Sequence, residues 1–171
     1  PVEKVSWDDA QIFLTRLNAA EQTAGRLPAG WSYVLPTESE WEYASRADVH
    51  PNRPFWWVGE DLKVASPLWY DENSGQQIHN ESKAVGQWRP NPWGLYDIHG
   101  NLFEWVWDTY SDTFFEKTSP IDPLNVDESA YGVIKGGSFR NRLFQCRSAH
   151  RVKIDRETRN DQIGFRIVYI P

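Results

Sequence analysis

The stretch at 91–108, NPWGLYDIHGNLFEWVWD, carries Pro92 and Gly94 as turn formers, Gly100-Asn101 as a second break, and the rings of Trp93, Tyr96, Phe103, Trp105 and Trp107. A tryptophan buries well over about 150 Å² and must also place its indole N–H. So many rings in one glycine-broken segment predict loops packed like a core, and neither a regular helix nor a surface tail. The polar members Asp97, Asn101 and Glu104 then need partners: backbone N–H groups, a cation or one another.

Upstream of that stretch the chain reads as two capped helices. Ser6 can cap a helix start with Asp9 three residues on, and Ala10, Phe13, Leu14 and Leu17 follow at helical spacing, predicting a buried stripe to about Asn18. Thr37 and Glu40 repeat the same grammar ahead of Trp41 and Ala44, predicting a second helix near 38–47. The short run 31–35 between them suits a strand or an extended lead-in. From 48 to 89 periodicity disappears; Pro51, Pro54, Gly59, Pro67, Gly75 and Gly86 break the chain while Phe55, Trp56, Trp57, Trp69 and Trp88 pin it, which predicts a long ordered loop region.

Downstream, 111–131 is a loop rich in Asp, Pro, Asn and Ser, after which 131–134, 147–152 and 163–170 read as strands. Few helices, short scattered strands and much ordered loop predict an α+β class. In such a domain Trp41, Trp93, Trp105 and Phe165 are the expected core.

At 171 residues the chain reads as one domain, 1–171, that buries roughly 70% of its unfolded surface. Ten Trp, seven Tyr and eight Phe favour a rigid compact fold over disorder. A formal charge of -6 argues against a nucleic-acid scaffold, and no stretch is long and apolar enough to insert in a membrane. One cysteine cannot form an internal disulfide, so cysteine usage does not specify a compartment.

Within the opening stretch, GNLFEW at 100–105 resembles the GNxWEW signature of the sulfatase-modifying-factor family, the domain of formylglycine-generating enzymes, with Phe103 at the usual Trp. Three further blocks agree in order: PVEKVSWDDAQIFLTRLN at 1–18, LPTESEWEYASR at 35–46, and VIKGGSF, CRSAHR and GFR at 133–139, 146–151 and 164–166. The resemblance covers essentially the whole chain and implies a C-type-lectin-like variant of the α+β class. The start at Pro1, inside the first block, reads as part of a longer protein.

The resemblance also implies a calcium ion, with carboxylate oxygens from Asp97 and Glu104 and carbonyl oxygens from Gly100 and Leu102, the hard donors that calcium selects. The residues alone equally allow Asp97 and Glu104 to cap turns or accept backbone hydrogen bonds. A second family calcium site falls at 66–68, where Pro67 has no side-chain oxygen to offer.

Catalysis is where the chain departs from that family. Formylglycine-generating enzymes hold copper with paired cysteines, because two soft thiolates suit Cu(I). Here RSAHR at 147–151 places Ser148 at one cysteine position, and Cys146 falls at neither. No catalytic residue and no copper are therefore expected, and Cys146 reads as a small buried hydrophobe. His50, His79, His99 and His150 lack metal-ligand spacing, and His99 reads as a satisfied structural histidine. No phosphate-loop or dinucleotide motif is visible.

Between GGSF and IGFR, the residues Arg140, Arg142, Phe144, Gln145, His150, Val152, Lys153, Ile154, Arg156 and Glu157 mix basic, aromatic and aliphatic groups. Many relatives are rich in Asn here, and in diversity-generating retroelement variable proteins those codons are the ones mutated. The segment thus resembles a diversified ligand-binding surface; ordinary surface turns are the alternative. A non-catalytic module that binds a protein or other macromolecule is the leading expectation, with Arg142, Phe144, Val152, Lys153, Ile154 and Arg156 on one exposed face. The alternatives are a formylglycine-generating-type oxidase or accessory factor acting on a cysteine-containing peptide, and a structural subunit of a larger assembly.

Overall fold

The computed structural model describes residues 1–49, 52–57, 68–71 and 81–171. Two long helices flank a four-stranded sheet, and the segment between those helices pairs with the C-terminal strand in a second, two-stranded one. The long helices are α1, Trp7–Thr23, and α2, Glu38–Arg46, and one further helical turn spans Phe114–Lys117. The strands are β1 Ser32–Val34, β2 Phe103–Thr109, β3 Tyr131–Lys135, β4 Arg151–Asp155, β5 Ile163–Phe165 and β6 Val168–Ile170. The large sheet has the order β4-β3-β2-β5, with β2 antiparallel to β3 and parallel to β5, while β1 pairs with β6. This is the α+β class read from the sequence.

Both helices start where the capping grammar puts them. Ser6 Oγ accepts the Asp9 N–H and Asp9 returns the bond to the Ser6 N–H; Thr37 and Glu40 do the same for α2. α1 continues past Asn18 to Thr23, through the good helix formers Ala19, Ala20, Glu21 and Gln22, and stops ahead of Gly25 at φ +68°. Its expected stripe is narrower than the spacing predicts. Ala10 and Leu14 are buried, but Phe13 stays half exposed and meets Phe165 edge-on, with ring centroids 5.5 Å apart.

The deciding stretch corrects the sequence reading in one respect. Its second half is a strand, β2, buried along nearly all its length. Period-two alternation explains how it serves both faces of the sheet. Phe103 and Trp105 join Ala10, Leu14, Ile134 and Ile163 on the α1 side, while Val106 joins Trp41, Ile98 and Val133 on the α2 side. The expected last strand at 163–170 likewise divides: β5 completes the large sheet and β6 leaves it for β1.

Indole N–H groups tie the helices to β2. Trp7 donates to the Val106 carbonyl and Trp105 to the Val5 carbonyl, each at 2.9 Å, and Trp41 donates to Glu104 at 2.7 Å. Trp41 and Trp105 are buried as expected and Phe165 is half-buried. Trp93 is a correction: it is 41% exposed and rests against Tyr43, because the turn that holds it is built outward around Asn91, whose side-chain oxygen takes the Trp93 and Leu95 N–H groups.

Gly100, at φ +77°, lies so close to the Trp69 main chain that a Cβ there would sit 2.2 Å from the Trp69 carbonyl oxygen. Gly100→Ala should therefore cost about 3 kcal/mol in urea unfolding, whereas Ser6→Ala, which removes one cap, should cost about 1 kcal/mol. A Gly100→Ala loss smaller than that of Ser6→Ala would contradict the close approach.

Candidate functional site

β2 presents Glu104 at the hinge of three elements. Its carboxylate accepts Arg166 Nε at 2.5 Å and Nη2 at 2.7 Å as well as the Trp41 indole, and Arg166 also donates to the Tyr96 carbonyl at 3.1 Å. Asp97, at φ +51°, accepts the Gly86 N–H at 2.7 Å, and burial raises its pKa above the usual carboxylate value. Asp97, Leu102, Glu104 and Arg166 line one cavity of about 260 Å³. Three of the four residues expected at a calcium ion are thus brought together. The fourth, Gly100, is outside that lining, with its N–H donated to the Gly136 carbonyl at 2.7 Å.

The donor set is of the hard-oxygen type, but Arg166 already occupies both Glu104 oxygens, and Asp97 is the less neutralised of the two carboxylates. Among the described residues no three His, Cys, Asp or Glu side chains converge as a metal cluster, so an ion here would depend on carbonyl donors. Of the second calcium position, residues 66 and 67 lie outside the described residues and Leu68 is buried.

The segment from 140 to 157 does not form one face, which corrects the expectation. Its first part is a 3₁₀ turn, Leu143–Cys146, that holds Arg142 and Phe144 out, with Phe144 58% exposed; Gln145 is half-buried and its side chain accepts the Arg142 N–H. Arg140 lies against Asp161 at 2.8 Å. Its second part is β4, whose alternation turns Val152 and Ile154 inward onto the α1-side core and leaves Lys153 exposed on the other face. Arg156 stacks over Trp7 with its guanidinium carbon 3.5 Å from the ring centre, and Glu157 is exposed beside it. His150, half-buried, precedes the strand, and burial lowers its pKa.

The outward side of β4 joins residues the sequence reading passed over. Arg151 reaches Glu38 at 2.8 Å and lies over the Tyr110 and Phe115 rings; Lys153 Nζ is 4.3 Å from the centre of Tyr131 and 5.4 Å from that of Tyr110. Strand alternation in RVKID at 151–155 is the signal that separates Arg151, Lys153 and Asp155 from Val152 and Ile154.

Ser148, read from the sequence at the position of a family cysteine, is fully buried, and among the described residues its hydroxyl has no partner. Cys146 is a buried free thiol whose pKa burial pushes up to about 12, so it is held as the unreactive thiol. His99 is fully buried and neutral, its pKa lowered to about 3 by burial. Its Nδ1 donates to the Cys146 carbonyl at 2.7 Å, but among the described residues its Nε2 has no partner, so there it is only half satisfied and not the fully satisfied histidine expected. His50 and His79 lie outside the described residues.

The sulfatase-modifying factor enzyme 1-like domain model matches residues 1–170. The chain belongs to this family. It is 30% identical over 177 residues to a formylglycine-generating enzyme of Streptomyces coelicolor, covering 97% of this chain and 51% of that protein. Among solved structures it resembles variable protein 1 of Treponema denticola, with TM-score 0.80 and 25% identity over 98% of this chain and 70% of the other. PvdO of Pseudomonas aeruginosa is similar too, with TM-score 0.78 and 25% identity over 98% of this chain and 60% of the other. The chain spans about half the length of the formylglycine-generating enzyme it matches. It carries a single cysteine and so lacks the cysteine pair of that chemistry.

Removing one member of a buried ion pair strands the other charge. Glu104→Gln should cost about 3 kcal/mol in urea unfolding, and adding Arg166→Met should recover part of the loss. Two losses that simply add would show that Glu104 and Arg166 are not coupled.

Proposed function

We propose that this chain is a non-catalytic binding module that holds a protein or another macromolecule on exposed residues of the 140–157 segment. One observation carries the reading. The position of a family cysteine is a buried serine, while Arg142 and Phe144 just ahead of it are turned to solvent on a backbone fixed by the 3₁₀ turn. An exposed aromatic beside an arginine has the composition of a binding hot spot. The likeness to a variable protein supports the same use of a rigid scaffold with changeable side chains.

Two measurements test this. The purified chain, given copper and a cysteine-containing peptide, should form no formylglycine. A displayed peptide library panned on the chain should yield ligands whose affinity falls by about 1–4 kcal/mol in Phe144→Ala, with melting nearly unchanged. Formylglycine product, or ligands indifferent to both Phe144 and Arg142, would overturn the reading.

A structural calcium ion belongs to the same proposal, with Asp97 and Glu104 as carboxylate donors and Gly100 and Leu102 as carbonyl donors. The support is the cavity that Asp97, Leu102 and Glu104 share and the burial that disfavours the charged form of Asp97, a cost that a bound cation would offset. Bound there, the ion would brace the loop ahead of β2 and take no part in chemistry. Calorimetry on chelator-treated protein should show calcium binding that Asp97→Ala weakens, a cleaner variant than one at Glu104, which also holds Arg166. Equal melting temperatures with calcium and with chelator, and no heat of binding, would contradict it.

A further inference from the structure

The two edges of the large sheet are not alike. Beyond β5, the N-terminal segment lies so close that a Cβ on Gly164 would sit 2.5 Å from the Val2 carbonyl oxygen, and the Lys4 N–H donates to the Asn160 carbonyl at 3.0 Å. Beyond β4, among the described residues, no strand follows. The Arg156 N–H bond to the Ala130 carbonyl sets the phase of the β3–β4 ladder. With the register Gly132 opposite Ile154 and Ile134 opposite Val152, those two pairs face β3 through their bonds. The N–H and C=O groups of Arg151 and Lys153, and the N–H of Asp155, consequently point away from the sheet. Of these three residues, among the described residues, only the Asp155 carbonyl has a main-chain partner there, accepting the Thr158 N–H at 3.0 Å.

An open edge is a template for a further strand. The side chains on this edge select what that strand can be. Lys153 is exposed, has no carboxylate within ion-pair reach among the described residues, and holds its ammonium over Tyr131, itself 43% exposed. Arg151 by contrast is already neutralised by Glu38. On the other face of β4, Val152 and Ile154 are half-buried, leaving an apolar margin beside the edge.

We infer that the open edge of β4 takes an extended segment of a partner protein as an added strand, with a carboxylate of that segment on Lys153 and an apolar neighbour against Val152 and Ile154. This rests on the reading of the 140–157 segment as the binding surface, and makes main-chain pairing the source of affinity and Lys153 the source of selectivity.

The test uses the ¹⁵N-labelled chain and two short capped peptides, one alternating Glu and Val, the other alternating Lys and Val. The Glu peptide should slow amide exchange at Arg151, Lys153 and Asp155 and bind about fivefold more tightly than the Lys peptide. Lys153→Glu should reverse that preference. Lys153→Pro should abolish binding while keeping the fold, since the lost N–H is outside the ladder and proline is tolerated at a sheet edge. If Lys153→Pro does not fold, the charge reversal by Lys153→Glu decides the matter.

Unchanged exchange at these three amides with the Glu peptide, or unchanged binding by Lys153→Pro, would overturn the inference. Ligands from the library panning that depend on Phe144 yet leave these amides unprotected would also overturn it, while the binding-module reading would stand. A Glu peptide that adds to the edge when panning yields no Phe144-dependent ligand would support the added strand and defeat that reading.

Discussion

The carboxylate of Glu104 is the constraint on which the other contacts depend. It accepts one indole from α2 and two donors from Arg166, so one side chain of β2 fixes the second helix and the C-terminal segment at once. Its neighbours extend the same role along the strand. Trp105 binds the Val5 carbonyl ahead of α1, the Trp107 N–H binds the Pro36 carbonyl ahead of α2, and Asp108 accepts the N–H groups of Glu38 and Asn125. β2 therefore organises the fold by polar bonds as well as by burial. Each of these groups would be costly if left unpaired in the interior.

That arrangement separates the scaffold from the candidate binding surface. Lys135, fully buried between Glu38 and Glu42, and the Glu104–Arg166 pair hold the sheet against α2 from within. Arg142, Phe144 and Lys153 stand outside that network, on a 3₁₀ turn and an edge strand. Val152 and Ile154, although interleaved with Lys153 in sequence, are half-buried and pack on the opposite face against the core. A scaffold of this kind lets exposed residues change without moving the backbone, which suits a binding module better than it suits chemistry. Ser148 and the unreactive Cys146 leave no thiolate pair to hold copper.

Much of the fold was legible in the residues. Reciprocal caps at Ser6 and Thr37 located both helices, and the four ordered blocks pointed to the family that the domain match confirms. β2 was missed because a strand buried on both faces shows no polar alternation; Phe103 to Asp108 reads as an aromatic run and not as a repeat. Trp93 was misplaced since nothing local says that the Asn91 turn opens outward. In the candidate site, the proximity of Asp97 to Glu104 followed from the signature, whereas Arg166 as the cation on Glu104 depends on a contact 62 residues apart in the chain. The single-face expectation failed through an omission the sequence could have repaired, since the alternation in RVKID was present to be read.

The claim that the fold is carried from within, leaving the binding surface free to vary, is tested most directly by sorting two libraries for protease resistance. One randomises Arg142, Phe144 and Lys153 together; the other randomises Val152 and Ile154. The account predicts that most members of the first library stay as resistant as the parent chain and most of the second are cleaved. Equal loss of resistance in both libraries would contradict it.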